Sequence, residues 1–74
     1  MRKMLFTTKS CPNCTPAKAL LGSYEDIEIL DAHDNMDLVS NFGIRAVPSL
    51  VIQDNENVKL YIGLDDIKKY INEA

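Results

Sequence analysis

The only two cysteines of the chain, Cys11 and Cys14, stand three positions apart in a sequence of 74 residues. A disulfide between them closes so small a loop that it constrains the unfolded chain little. The fold therefore has no long-range staple and must rest on an apolar core. A chain of this length buries only about 60% of its unfolded surface. That allows one sheet and a few helices, so we expect a single domain over residues 1–74. Apolar residues make up 46% and charged residues 26%, the balance of a folded soluble domain rather than a disordered chain.

Periodicity supplies the elements. Met4-Leu5-Phe6-Thr7 reads as a short buried strand. Ser10-Cys11-Pro12 reads as a helix start, with Pro12 suited to the first helical position. Ala17, Leu20, Leu21 and Tyr24 then follow at helical spacing, and Gly22 is a plausible terminator. Pro16 lacks the N–H that would bond back toward Pro12, which predicts an irregular or kinked first turn. Asp26–Asp31 alternates as a strand. Asp34 is a candidate cap for a helix carrying Leu38, Val39 and Phe42 and stopped by Gly43. Val47 through Gln53 is β-rich, Asp54–Asn57 is a turn, and Val58 through Ile62 is a strand, so 49–62 reads as a hairpin. Gly63 ends it. Leu64, Ile67, Tyr70 and Ile71 then share a face of a last helix begun by Asp65 or Asp66. The expected order is βαβαββα: an α/β fold with a four-stranded mixed sheet, helices on both faces, and the first two strands parallel.

Charge narrows the partners. The net charge is −3, whereas phosphate binding wants a strongly basic face, so nucleic acid is not expected as a partner. The charge is uneven: residues 1–24 hold Arg2, Lys3, Lys9 and Lys18 and no acid, and this segment carries both cysteines. That asymmetry would steer an acidic partner toward the cysteine end. No apolar run approaches the roughly 20 residues that span a bilayer, and the first residues hold too short an apolar stretch for a signal-peptide core. A cytoplasmic protein with no membrane partner is expected. Two cysteines in such a chain serve catalysis or metal binding more often than structure.

Cys11-Pro12-Asn13-Cys14 lies between a strand end and a helix start. Unpaired backbone N–H groups and the helix dipole favour a thiolate at Cys11, and Lys9 adds positive charge two residues upstream. Both lower a thiol pKa. Cys14, one turn on, is expected to be more buried and less acidic. This placement points to thiol–disulfide exchange. Zinc would need four ligands, and only His33 and carboxylates remain to join the cysteines, so no metal site is assigned. A cluster bridged between two chains and an inert pair in a binding module stay open as alternatives. His33, between Asp31 and Asp34, reads as a solvated loop residue.

Ser10-Cys11-Pro12-Asn13-Cys14 followed by Pro16-Ala17-Lys18-Ala19-Leu20-Leu21 resembles glutaredoxins, with Asn13 where their usual motif has tyrosine. Phe42-Gly43-Ile44-Arg45-Ala46-Val47-Pro48-Ser49-Leu50 resembles the thioredoxin stretch around its cis-proline. Together they place the chain in the thioredoxin superfamily, most similar to the small glutaredoxin-like thioredoxins of archaea and anaerobic bacteria. The resemblance implies a thioredoxin-like fold in which Cys11 is the nucleophile and Cys14 the resolving thiol. It implies that Pro48 is cis beside the cysteines and that Val47 offers its backbone to an extended client, with Pro12 and Asn13 also facing substrate. The same resemblance implies that Arg45 is near the cis-proline, where it could meet a partner.

Departures from the pattern matter equally. Ser10 stands where thioredoxins have tryptophan, and Leu5 where they have a buried aspartate. Glutaredoxins carry a lysine three residues before the first cysteine; here Lys9 is two before. Gly63-Leu64-Asp65-Asp66 is one residue shorter than their glutathione-gripping segment, and its aspartates read more simply as helix-start residues. The resemblance thus implies a cofactor-free, monomeric reductant of protein disulfides, recharged by a flavin-dependent thioredoxin reductase. A glutathione-dependent glutaredoxin and an iron–sulfur module are the alternatives.

Overall fold

A computed structural model describes residues 1–73. The elements run β1 (Arg2–Thr7), α1 (Cys14–Leu21), β2 (Ile27–Asp31), α2 (Met36–Phe42), β3 (Ser49–Asp54), β4 (Asn57–Ile62) and α3 (Gly63–Glu73). This is the βαβαββα order read from the sequence. The four strands form one sheet in the order β2-β1-β3-β4. β1 and β2 are parallel, while β1–β3 and β3–β4 are antiparallel.

Alternation along β1 and β3 divides the core into two layers. Leu5, Leu50 and Ile52 face α1 and α3, where they meet Ala17, Leu21 and Ile67. Met4, Phe6 and Val51 face the other way, toward Ile44 and the half-buried Leu38, Val39 and Phe42. Helices therefore cover both faces. The amphipathic spacing of α3 holds: Ile67 is buried, and Leu64, Tyr70 and Ile71 pack beside it. At the open end of the sheet Lys3 Nζ lies 2.9 Å from Asp26 Oδ2. No helix among the described residues is long and apolar enough to cross a membrane.

Several boundaries differ from the sequence reading. α1 begins at Cys14, with Asn13 as its N-cap, so Pro12 is in a turn and is not the first helical residue. The delay places Pro16 in the first turn, where a helix leaves N–H groups unpaired anyway, and the first intrahelical bond runs from the Ala17 N–H to the Asn13 carbonyl. The buried face of α1 is Cys14, Ala17 and Leu21. Leu20 is exposed and Tyr24 lies beyond the helix, because the short helix turns its buried stripe toward Cys14. Asp34 does not cap α2, whose N-cap is Asn35. Asp31 does the local work instead: its Oδ1 accepts the His33 and Asp34 N–H groups at 2.8 and 3.3 Å. β3 starts at Ser49, where the 49–62 hairpin reading begins it, since Pro48 has no N–H for a ladder. Gly63 opens α3 as well as ending β4. Of the two aspartates it is Asp66 that holds the helix start, its Oδ2 accepting the Ile62 N–H at 3.3 Å.

Candidate active site

β1 delivers the chain to Thr7 at the middle of the sheet, and the Ala32 N–H holds the Thr7 carbonyl at 2.8 Å. The turn that follows is closed by the Cys11 N–H on the Thr8 carbonyl at 3.4 Å. Pro12 and Asn13 are exposed on this turn, and α1 then starts at Cys14. Cys11 and Cys14 are joined as a disulfide, with their Cα atoms 5.3 Å apart. The pair is asymmetric. Cys14 is 2% exposed at the base of α1, whereas Cys11 is only half-buried on the turn.

A second loop flanks the first. The Val47–Pro48 peptide bond is cis, the isomer the resemblance implies. Pro48 is buried and Val47 half-buried. Two bonds fix this loop: Ser49 Oγ donates to the Ala46 carbonyl, and the Gly63 N–H donates to the Pro48 carbonyl at 2.8 Å. Because Phe6 pairs with Ser49, Thr7 and Pro48 leave the sheet side by side. Thr8 and Val47 consequently line one groove of about 240 Å³, together with His33, Met36, Ile44 and Arg45.

Lys9 and Arg45 are both exposed but fall in different places. Arg45 borders the Val47 groove. Lys9 borders a neighbouring groove with Ser10, Asp31, His33 and Asp34, so its charge has two carboxylates about it. His33 lies where the two grooves meet, a position its loop context did not signal. Met36 was also unforeseen; an exposed apolar residue at the start of a short helix leaves no trace in periodicity. Among the described residues, no three His, Cys, Asp or Glu side chains gather closely enough to hold a metal ion.

A thiol pair able to open and close as a disulfide, at the end of a central strand and the start of a helix, defines the class. This is a thiol–disulfide redox protein of thioredoxin-like fold. The chain belongs to the glutaredoxin family, whose model matches residues 4–57. Among solved structures it is similar to thioredoxin 1 of Thermosipho africanus, with a TM-score of 0.67 and 20% identity over 99% of this chain and 97% of that one. It is likewise similar to a glutaredoxin of Brucella melitensis, with a TM-score of 0.66 and 24% identity over 100% of this chain and 82% of that one. Mitochondrial thioredoxin 3 of Saccharomyces cerevisiae gives a TM-score of 0.67 at 18% identity, over 97% of this chain and 76% of that one. At these identities the likeness is one of fold. A search of curated protein sequences finds no match.

Proposed function

We propose that this protein reduces the disulfides of client proteins through a Cys11/Cys14 dithiol cycle and is recharged by a flavin-dependent thioredoxin reductase in the cytoplasm. The observation that carries this reading is the asymmetry of the pair: a half-buried Cys11 on a turn and a Cys14 that is 2% exposed. The Cys11 thiolate attacks one sulfur of the client disulfide. That S–S bond breaks, the other client sulfur leaves as a thiolate, and a mixed disulfide forms. Cys14, losing its proton, attacks the Cys11 sulfur and expels the second client thiolate. Two electrons pass to the client, and the Cys11–Cys14 disulfide remains. The reductase returns two electrons and the cycle closes.

The groove between Thr8 and Val47 gives an extended client segment a place against the loops that follow β1 and precede β3. In this reading Val47 offers backbone groups there, and Pro12 and Asn13, exposed on the cysteine turn, meet the client as well. The family model favours glutathione as the electron donor, but the start of α3 argues against it. Gly63-Leu64-Asp65-Asp66 is one residue shorter than the segment by which glutaredoxins grip glutathione, and Asp66 serves the start of α3 by accepting the Ile62 N–H. The deciding experiment is turnover of a disulfide-bonded protein with NADPH and thioredoxin reductase, compared with glutathione and glutathione reductase. Faster turnover with thioredoxin reductase is expected. Turnover with glutathione alone would overturn the choice of donor, and a brown protein after anaerobic purification would mark a cluster module instead.

A further inference from the structure

β4 is the last strand on its side of the sheet, so one edge of its backbone meets no other strand. The hairpin register fixes which groups point outward. The Gly63 N–H reaches the Pro48 carbonyl across the β3–β4 junction. Alternation then turns the N–H and C=O of Asn57, Lys59 and Tyr61 toward β3 and those of Val58, Leu60 and Ile62 outward. The Ile62 N–H obeys this, meeting Asp66 rather than β3. The same three residues carry apolar side chains that are 43%, 37% and 40% exposed. They lie on the α2 face, because Leu60 pairs with Val51, whose side chain belongs to that core layer. α2 has seven residues and leaves this strip of sheet bare.

We propose that β4 pairs antiparallel with β4 of a second copy of this chain, about a two-fold axis through Leu60. The strand's own sequence selects that register. An axis through Lys59 would set it against the partner's Lys59, like charges directly opposite. An axis through Tyr61 would match Leu60 with the partner's Ile62 and leave Val58 unmatched. Only the axis through Leu60 pairs all three outward residues, and there the Ile62 N–H exchanges its exposed 3.3 Å bond to Asp66 for the carbonyl of the partner's Val58. Leu60 then faces the partner's Leu60, and Val58 faces the partner's Ile62, which continues the apolar strip across the axis. On the other face Lys59 comes opposite the partner's Tyr61, a favourable cation–aromatic pairing.

The contact is isologous, as a closed dimer requires. The edge is short and each chain carries a net charge of −3. The association is therefore weak, with a dissociation constant on the order of 0.1 mM, and salt strengthens it by screening the repulsion. Antiparallel β4 strands send the two cysteine sites to opposite ends of the joined sheet, so both stay open. The sequence alone suggests a monomer; the bare apolar edge is what changes that expectation.

The test is sedimentation of the full chain at concentrations from roughly tenfold below to tenfold above that constant. The mean mass should rise from 8.3 kDa toward that of two chains. Leu60→Lys and Leu60→Glu each place like charges on the axis, and each variant alone should stay monomeric. Mixing the two sets opposite charges across the axis and should restore association. A misfolded variant would not regain it, so the mixture separates lost contact from lost structure. A wild-type mass of 8.3 kDa at every concentration, or a mixture that stays monomeric, overturns the proposal.

Discussion

The Cys14 N–H donates to the Cys11 carbonyl at 3.3 Å, so the backbone joins the two cysteines as well as their sulfurs. Their surroundings nevertheless differ: Cys11 rides on the exposed turn and Cys14 is packed into the base of α1. In the proposed cycle it is therefore Cys11 that meets the client sulfur. Cys14→Ser should therefore accumulate mixed disulfides with client proteins, since nothing resolves them. Cys11→Ser should accumulate almost none. Non-reducing gels of the two variants after exposure to a lysate make the comparison, and equal trapping by both would contradict the assignment.

Gly63 has φ +85°, and a Cβ added there would meet nothing within 4 Å. Space is not what selects glycine here; backbone conformation is. Gly63→Ala should cost about 1–2 kcal/mol from left-handed strain alone. In a domain this small each kcal/mol lowers Tm by about 4–8 °C. Gly63→Asn should lose less, because asparagine tolerates that region better. Client turnover should weaken with Gly63→Ala too, since the Gly63 N–H anchors the Pro48 carbonyl. Calorimetry of the two variants tests the order.

The Lys3–Asp26 pair gives a signed pH dependence. The hydrogen bond to Lys3 holds Asp26 below its ordinary value of 3.8. The hydrogen bond to Asp26, followed by one to Tyr70, holds Lys3 above 10.5. A depressed carboxylate contributes stability above its unfolded pKa and loses it as pH falls through the folded one. A raised ammonium contributes below its unfolded pKa and loses it as pH rises through the folded one. The contribution is thus full between these two limits and fades outside both. Asp26→Asn should lower the urea midpoint slightly at pH 7, with the two curves converging as the solution is acidified past the Asp26 titration. Asp26 is exposed, so added salt should shrink the difference.

What could be read in advance followed the length of the repeating pattern. β1, β3, β4 and α3 announce themselves through runs whose apolar spacing has one interpretation, and the glycines at 43 and 63 mark where chain direction changes. The sequence puts the start of α1 too early because Pro12 suits a helix start as well as a turn, and only the packing of Cys14 decides between them. Its eight residues also offer too few apolar positions to fix the buried face, hence the misplacement of Leu20. Asp31 outcompeted Asp34 because its carboxylate, fixed at the end of β2, reaches two N–H groups at once. The cysteine pair was legible from spacing alone. The groove between Thr8 and Val47 was not, since Thr8, His33 and Met36 come from three separate loops and element ends.

Leu5 makes the last prediction. It is fully buried with Ala17 and Leu21 in the layer beneath α1, where thioredoxins have an acid by the resemblance drawn above. Among the described residues the only buried polar side chains are Thr7 and Ser49, neither of them a carboxylate. No buried acid can therefore couple to the thiols. In a Cys14→Ser variant, which removes the second thiol, absorbance near 240 nm should report Cys11 ionising in one step, with no second group coupled to it. The helix terminus still favours the thiolate. Its effect is modest, because α1 starts at Cys14 and Cys11 lies outside the first turn. Oxidising power rises with special stabilisation of the reduced form, as in strong oxidants near −120 mV. A modestly stabilised thiolate with an uncharged Asn13 beside it should give a reducing couple, roughly −220 to −280 mV. Equilibration against glutathione measures that potential. A value near −120 mV, or a two-step titration, would show a stabilising group at Cys11 that Leu5, Lys9 and the α1 terminus do not provide.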